Sequence, residues 1–265
     1  MSLPRIGSRY LAALVALVLL CLAVPAPARE VRVGIGFVLP PYVVREDDSG
    51  LEVEIIRRAL AEAGHTAVFV YLPNLRLPLE LARGTLDAVA ANRAYDLARE
   101  MGGPAHPSGL TVEYRNCAVS RRSDGFVIHA VGDLRGKRVL TFQNARKYLG
   151  QEFRRVADSL QHYRELADQS LHVGMLYAGR TDVVISDRRI FLYWRKRLAD
   201  SSRGRGVDLE QPLVFHDIFS PSPRTVFFSD PALRDAFDQG LEALRGRGEI
   251  EALNARHLYL ETLPR

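Results

Sequence analysis

A twelve-residue pattern that occurs twice is the strongest constraint on how this chain folds. The two copies are residues 82–93, ARGTLDAVAANR, and residues 177–188, YAGRTDVVISDR. Both contain a Gly, an Asp, a β-branched strand core and a final Arg; the corresponding pairs are Gly84 and Gly179, Asp87 and Asp182, Val89 and Val184, and Arg93 and Arg188. Each copy follows a helix-like stretch, so it predicts a helix end capped by Gly, a tight turn and a short buried strand.

Two such units predict two similar α/β lobes, provided that the rest of the chain supports the repeat. An Asp at a helix-to-strand turn usually bonds nearby backbone N–H groups, so Asp87 and Asp182 are expected to be architectural. The polar strand ends, Asn92–Arg93 and Asp187–Arg188, should instead lie at the carboxyl ends of parallel strands, where open α/β sheets bind ligands. Chance similarity is the alternative, because Gly and Asp at this spacing are common in connections from helix to strand.

The N-terminal segment has the three parts of a secretory signal. Arg5 and Arg9 give a basic start, residues 11–24 form an apolar run, and residues 25–28 (PAPA) give a small-residue cleavage site. The apolar run is shorter than the ~20 residues that span a bilayer, and no later segment is apolar enough to do so. We therefore expect a signal peptide of residues 1–28, cleaved near Ala28, and a periplasmic protein.

Composition argues against several classes of function. The formal charge is +5, and loss of residues 1–28 removes two Arg and no acid, which lowers this charge to +3. The basic residues are scattered rather than gathered in a stripe, so no nucleic-acid partner is expected. The seven His have no metal-ligand spacing, and no dinucleotide fingerprint, GxSxG elbow or P-loop occurs. We expect no metal and no cofactor, and a buried, inert thiol at Cys117.

The order of predicted elements is that of two mainly parallel sheets. A strand over 31–39, a helix, a strand over 66–72 and a second helix lead into the first copy of the repeat, which gives the order β-α-β-α-β. The same order then restarts with a turn, a strand and an amphipathic helix over 144–160. Extended runs near 112–119 and 213–219 are long enough to cross between the lobes.

In this order and spacing, the chain resembles the periplasmic solute-binding proteins of the polar amino-acid ABC-transporter family, bacterial extracellular solute-binding protein family 3. The motifs that carry the resemblance are VRVGIGFVLPPYV, SGLEVEIIRRAL, LARGTLDAVAANRAYDLAR, DLRGKRVLTFQNA, AGRTDVVISD and FDQGLEALRGRGEIEALNARHL. The resemblance implies the type II Venus flytrap fold, in which two lobes, each a mainly parallel sheet flanked by helices, are joined by two hinge strands. The implied boundaries are 29–115 and 217–265 for the first lobe and 116–216 for the second.

The resemblance also implies how a ligand is held between the lobes. Family members clamp the ligand α-carboxylate with an Arg twelve residues after the Asp of the first copy, which is Arg99 here; a guanidinium matches a carboxylate in two parallel hydrogen bonds. An Asp after the second-lobe strand takes the ligand ammonium, and Asp187 matches it. Gln143 and Asn144 precede a predicted helix whose free N–H groups are expected to accept the anionic end of a ligand.

The chain departs from the family pattern at the first cleft strand and in its positive charge. Asn92 and its alanine neighbours stand where the family usually has small hydroxyl residues. Arg93 and Arg76 add cations near the expected cleft that the family pattern does not require. Tyr42 is a candidate aromatic wall of the pocket, with a packing role as the alternative. The ligand is therefore expected to be an ordinary α-amino acid or a more anionic molecule, such as a dicarboxylate or an acidic amino acid.

These expectations combine into a monomeric, non-enzymatic receptor that captures a small polar or anionic ligand for import through an inner-membrane ABC permease. Two alternatives stay open. Some periplasmic dehydratases of prephenate or arogenate have the same fold, and here Asp187 or Glu54 would have to act as the acid or base. The other alternative is a ligand-sensing module that reports to a membrane signalling protein.

Overall fold

The structure, a computed structural model, describes residues 29–36, 39–201, 204 and 207–257, so the predicted signal segment lies outside the described part. The strands are β1 (Glu30–Ile35), β2 (Thr66–Tyr71), β3 (Ala88–Asn92), β4 (His106–Tyr114), β5 (Asn116–Arg121), β6 (Val139–Phe142), β7 (Tyr163–Leu166), β8 (Val183–Asp187), β9 (Leu213–His216) and β10 (Ser222–Phe228). The α-helices are α1 (Leu51–Glu62), α2 (Leu77–Ala82), α3 (Leu97–Met101), α4 (Ala145–Tyr148), α5 (Gly150–Ser159), α6 (Ser170–Tyr177), α7 (Arg188–Ala199), α8 (Pro231–Gly246) and α9 (Glu249–His257). No helix of this part is both long and apolar enough to cross a membrane.

Two five-stranded sheets organise the described part of the chain, with strand orders β2-β1-β3-β10-β4 and β7-β6-β8-β5-β9. We call each sheet with its helices a lobe. In the first lobe β1 is parallel to β2 and β3, and in the second β6 is parallel to β7 and β8. The fourth strand of each sheet, β10 or β5, is antiparallel to both neighbours. The sheets are mixed because each receives this strand from the segment that crosses from the other lobe.

Helices cover both faces of each sheet. Side chains alternate between the two faces of a strand, so successive residues pack against different helices. In the first lobe, Val226 and Phe228 of β10 pack in the cluster that contains residues of α1 and α8. Phe227, between them, packs instead with residues of α2 and α3. The second lobe repeats this arrangement, with α5 on one face and α6 and α7 on the other.

The repeated pattern predicted from the sequence is confirmed as the same turn in both lobes. Gly84 and Gly179 have φ angles of 71° and 67°, in the left-handed region that glycine adopts at helix ends. Asp87 accepts a hydrogen bond from the Arg32 backbone N–H at 2.8 Å, and Asp182 accepts one from that of Arg138 at 2.8 Å.

The side chains of these two arginines also bond the same carboxylates, at the start of equivalent parallel strands. Burial raises the pKa of both carboxyls, but the bonds from Arg32 and Arg138 outweigh it and hold each pKa below its ordinary value. The predicted architectural role of Asp87 and Asp182 is thus confirmed.

The predicted single helix over 144–160 is wrong. The chain forms α4, which ends at Tyr148, and α5, which begins at Gly150. Gly150 has a φ of 89°, which breaks the helical path, so α4 is only four residues long. The predicted strand over 31–39 is also shorter, since β1 ends at Ile35.

Candidate functional site

A cavity of about 650 Å³ opens between the two lobes. Such a volume falls in the range of roughly 300–1,000 Å³ typical of small-molecule sites. The first lobe contributes the end of β3, the following loop and α3, and the second lobe contributes α4. The lining residues are Asn92, Ala94, Tyr95, Asp96, Arg99, Glu100, Lys147 and Tyr148.

Arg99 is the cavity cation that is available to a ligand. It lies in α3, whose first turn is capped by Asp96, because the Asp96 carboxylate accepts a hydrogen bond from the Arg99 backbone N–H at 3.2 Å. The side chain is exposed, and within the described residues its guanidinium has no hydrogen-bond acceptor. The structure therefore places Arg99 in the cavity with its charge unpaired.

Lys147, the other cavity cation, is already paired across the cleft. Its Nζ lies 3.1 Å from a carboxylate oxygen of Glu100 and 4.9 Å from the centre of the Tyr95 ring. Because Lys147 belongs to the second lobe and its two partners to the first, these contacts join the lobes at the rim of the cavity.

Asn92 lines the cavity, whereas the two additional arginines predicted near it do not. The Asn92 amide donates to the Ser222 hydroxyl at 2.5 Å and accepts from the Ala94 backbone N–H at 2.7 Å, which fixes the loop after β3. Arg93 donates to the backbone carbonyl of Ser108 at 2.8 Å. Arg76 is exposed at the start of α2.

Asp187 is a buried structural carboxylate in this structure, not a group that faces the cavity. One oxygen accepts from the backbone N–H groups of Arg189 and Ile190 at 2.9 and 3.1 Å, which caps α7. The other oxygen accepts from the Arg115 N–H at 2.6 Å and from the Tyr42 hydroxyl at 3.3 Å. Burial raises the pKa of Asp187 to about 6, although the three backbone N–H groups favour its charged form.

Tyr42 takes the packing role that the sequence left open. Its side chain is buried, and its ring lies 4.4 Å from that of Tyr114, with an angle of 39° between them. Its hydroxyl reaches Asp187 in the second lobe. Tyr42 thus joins the two lobes through this contact.

The backbone N–H groups after β6 that were expected to bind a ligand donate to a side chain instead. The Glu165 carboxylate accepts from the backbone N–H of Asn144 at 2.8 Å and from that of Arg146 at 3.3 Å. The expectation of free N–H groups at this point is therefore wrong, because an acid on the neighbouring strand β7 caps α4. Gln143 is exposed and does not line the cavity.

The sequence analysis missed a buried ion pair beside the cleft. Glu52 is fully buried, and its two carboxylate oxygens lie 2.8 and 3.0 Å from Nε of Arg224. The Tyr114 hydroxyl donates to Glu52 at 3.2 Å, and the Arg224 guanidinium lies 5.0 Å from the centre of the Tyr114 ring. One signal was present: Arg224 alternates with Val226 and Phe228 on a strand face that packs in the core, so its charge requires a partner there.

The groups suggested for acid or base chemistry are engaged elsewhere. Glu54 lies 3.7 Å from Arg58 on the surface of α1. Asp187 already accepts four hydrogen bonds, as described above. Among residues 29–36, 39–201, 204 and 207–257, no group of three or more His, Cys, Asp or Glu side chains is placed to hold a metal ion.

No protein-family model and no curated protein matches the chain, but solved structures do. A histidine kinase sensor domain with similarity to periplasmic binding proteins has a TM-score of 0.68 at 20% identity over 87% of this chain and 96% of its own. An ancestral arginine-binding protein bound to arginine has a TM-score of 0.66 at 18% identity over 86% and 97%.

An ancestral amino acid-binding protein, AncCDT-1, a precursor of cyclohexadienyl dehydratase, has a TM-score of 0.65 at 15% identity over 86% of this chain and 94% of its own. Together with the two mixed sheets and their crossing strands, these similarities show that the chain has the periplasmic-binding-protein type II fold.

Proposed function

We propose that this protein is a periplasmic receptor that binds a small amino acid or related carboxylate between its two lobes. The observation that carries the proposal is the cavity of about 650 Å³ with the unpaired guanidinium of Arg99 in its wall. A guanidinium binds a carboxylate in two parallel, charge-assisted hydrogen bonds. The Asp96 carboxylate, one helical turn from Arg99, is a candidate partner for the ligand ammonium, the role that the resemblance gave to Asp187.

Binding is favoured over catalysis because neither of the acids suggested for catalysis, Asp187 and Glu54, lines the cavity. A general acid or base must lie within hydrogen-bond reach of the proton that it moves. Asp187 is buried among its own donors, and Glu54 is paired with Arg58 on the outside of α1. A dehydratase activity on prephenate or arogenate is therefore the weaker hypothesis, although a precursor of such an enzyme has the same fold.

The partner of the receptor is proposed to be an inner-membrane ABC permease. A membrane sensor is the alternative, since a histidine kinase sensor domain has the same fold. Co-purification from envelope extract with and without ligand separates them: recovery of a permease supports import, and recovery of a sensor kinase contradicts it.

The direct test is a thermal-shift screen of the purified protein against L-amino acids and small carboxylates, followed by calorimetry. We expect at least one of them to raise the melting temperature, and Arg99→Ala to weaken its binding about tenfold to a hundredfold, as for a lost charge-assisted hydrogen bond. Arg83→Ala is the matched control, because Arg83 is an exposed arginine paired with Glu80 at the end of α2. Equal affinity of the wild type and Arg99→Ala would contradict the proposal.

A further inference from the structure

Arg224 has one side of its guanidinium committed to the protein and one side free. Nε binds the Glu52 carboxylate, and Nη2 donates to the backbone carbonyl of Ala90 at 3.2 Å. Nη1 has no acceptor within the described residues, and 12% of the side chain is exposed. A buried ion pair whose guanidinium keeps an unpaired donor is unusual, because guanidinium donors in buried positions are normally satisfied.

Arg224 lies next to a residue that lines the ligand cavity. In the β-sheet register, Arg224 lies directly opposite Asn92, which lines the cavity. Residues directly opposite in an antiparallel pair share one face of the sheet. Consistently, the Asn92 amide bonds Ser222, which lies two residues before Arg224 on that face.

Across the cleft, the charge of Arg224 acts on a cavity residue of the second lobe. Burial raises the pKa of Tyr148, and the positive charge of Lys147, a side-chain hydrogen bond with Asn74 and the positive charge of Arg224 oppose this rise. Tyr148 lines the cavity from the second lobe, as Asn92, the register partner of Arg224, does from the first.

We infer that Arg224, fixed by Glu52 and assisted by Tyr148, forms a second subsite that takes an oxygen acceptor on the ligand side chain. This inference rests on the proposed function, in which Arg99 takes the α-carboxylate. It assigns the ligand to amino acids with a side-chain carboxylate or carboxamide, because both offer an oxygen to a guanidinium N–H. The extra positive charge that was expected in the cleft then comes from Arg224, and not from Arg93 and Arg76.

The buried ion pair is what makes Arg224 a precise donor. A carboxylate that contacts Nε and a carbonyl that accepts from Nη2 fix the plane of the guanidinium, so Nη1 points in one direction without further loss of side-chain entropy on binding. Glu52 acts as the positioning residue, and its effect on binding should appear only through Arg224.

The test is calorimetry with L-glutamate, L-glutamine and L-alanine, which share an α-carboxylate and ammonium but differ at the side chain. The wild type should bind glutamate or glutamine more tightly than alanine. Arg224→Gln should remove this advantage, weakening the preferred ligand about tenfold to a hundredfold while leaving alanine unchanged. Arg247→Gln is the control, because Arg247 pairs with Glu62 in a surface contact between α8 and α1.

Arg224→Gln leaves the buried Glu52 carboxylate without a cation. A second variant that removes this buried charge is therefore tested beside it. Glu52→Gln with Arg224→Gln replaces the ion pair by two amides and should fold, as judged by its circular dichroism and melting temperature, with the same loss of discrimination. Equal affinities of the wild type for the three ligands, or a parallel loss for alanine, would overturn the subsite and leave the proposed function intact. Failure of the wild type to bind any of the three would overturn the subsite, whereas the proposed function is overturned only if the wider screen of amino acids and carboxylates finds no ligand.

Discussion

Gly240 provides the sharpest test of how the first lobe is packed. It lies in α8, where that helix crosses α1, and a Cβ built there would collide with the carbonyl oxygen of Ala59. The carbonyl carbon of Ala59 and the Cβ of Glu62 would lie only 3.0 and 3.1 Å from it. Because the main obstacle is backbone, no side-chain rotation relieves the clash, and the two helices must separate. Gly240→Ala is therefore expected to destabilise the protein.

The expected magnitude is the difference between two opposing effects. Overpacking a well-packed contact costs about 1–3 kcal/mol, while Ala in place of Gly inside a helix contributes about 1 kcal/mol of stability. Because the clash is with backbone, the cost should lie toward the upper end of its range, which leaves a net loss of up to about 2 kcal/mol. For a chain of this size that corresponds to a fall in melting temperature of up to roughly 8 °C.

Gly246, the last residue of α8, is the matched control. A Cβ built there meets no atom within 4 Å, so Gly246→Ala adds the helix propensity without the clash and should be neutral or stabilising by up to about 1 kcal/mol. The melting temperature of both variants is measured by circular dichroism, with urea titration as the second measure. If Gly240→Ala melts at or above the wild type, the close approach of α1 and α8 is not as described.

Two further predictions concern buried titratable groups. Burial lowers the pKa of His172 to about 4; since the unfolded chain binds a proton near pH 6.5, the contribution of His172 to stability should fall by about 3 kcal/mol from pH 6.5 to 4, while the raised pKa of Asp187 acts in the opposite direction. In urea titrations over this range, His172→Leu should therefore lose less stability than the wild type, and an unchanged difference would contradict the assignment. Cys117 is fully buried, which raises the pKa of its thiol. In a Cys21→Ser background, which removes the other cysteine of the sequence, Cys117 should react with a thiol reagent only after unfolding; labelling of the native protein at the rate of free cysteine would refute this.

The fold was largely predictable because its signals are local. The Gly84 and Gly179 turns follow from a glycine at a helix end. The expected backbone hydrogen bonds of Asp87 and Asp182 also form, but their donors, Arg32 and Arg138, are not local: they lie 55 and 44 residues away. No spacing rule within one element connects residues at such separations, so these pairs were not predicted.

Arg99 was expected near the ligand from the family resemblance, and it lines the cavity on a short helix that follows β3. Asp187 was placed at the correct strand end, but its partners come from the crossing segment at Arg115 and from Tyr42, 145 residues away. Whether the Asp187 carboxylate is free for a ligand depends on these tertiary contacts, which the alternation of apolar residues and the spacing of motifs do not reveal.

The difference between the two copies of the repeat assigns separate tasks to the two lobes. After β3, the first copy leads into the loop and helix that carry Asn92 and Arg99 to the cavity, and its strand pairs with the strand of Arg224. After β8, the second copy leads directly into α7. Its acid, Asp187, caps that helix and accepts a hydrogen bond from the Arg115 N–H of the crossing segment. Under the proposed function, Arg224 of the first lobe distinguishes ligands, while Lys147 of the second lobe contributes to closure. Substitutions of Arg224 in β10 should accordingly change which ligand is preferred, whereas substitutions of Arg99 in α3 or Lys147 in α4 should change the affinity for all ligands together.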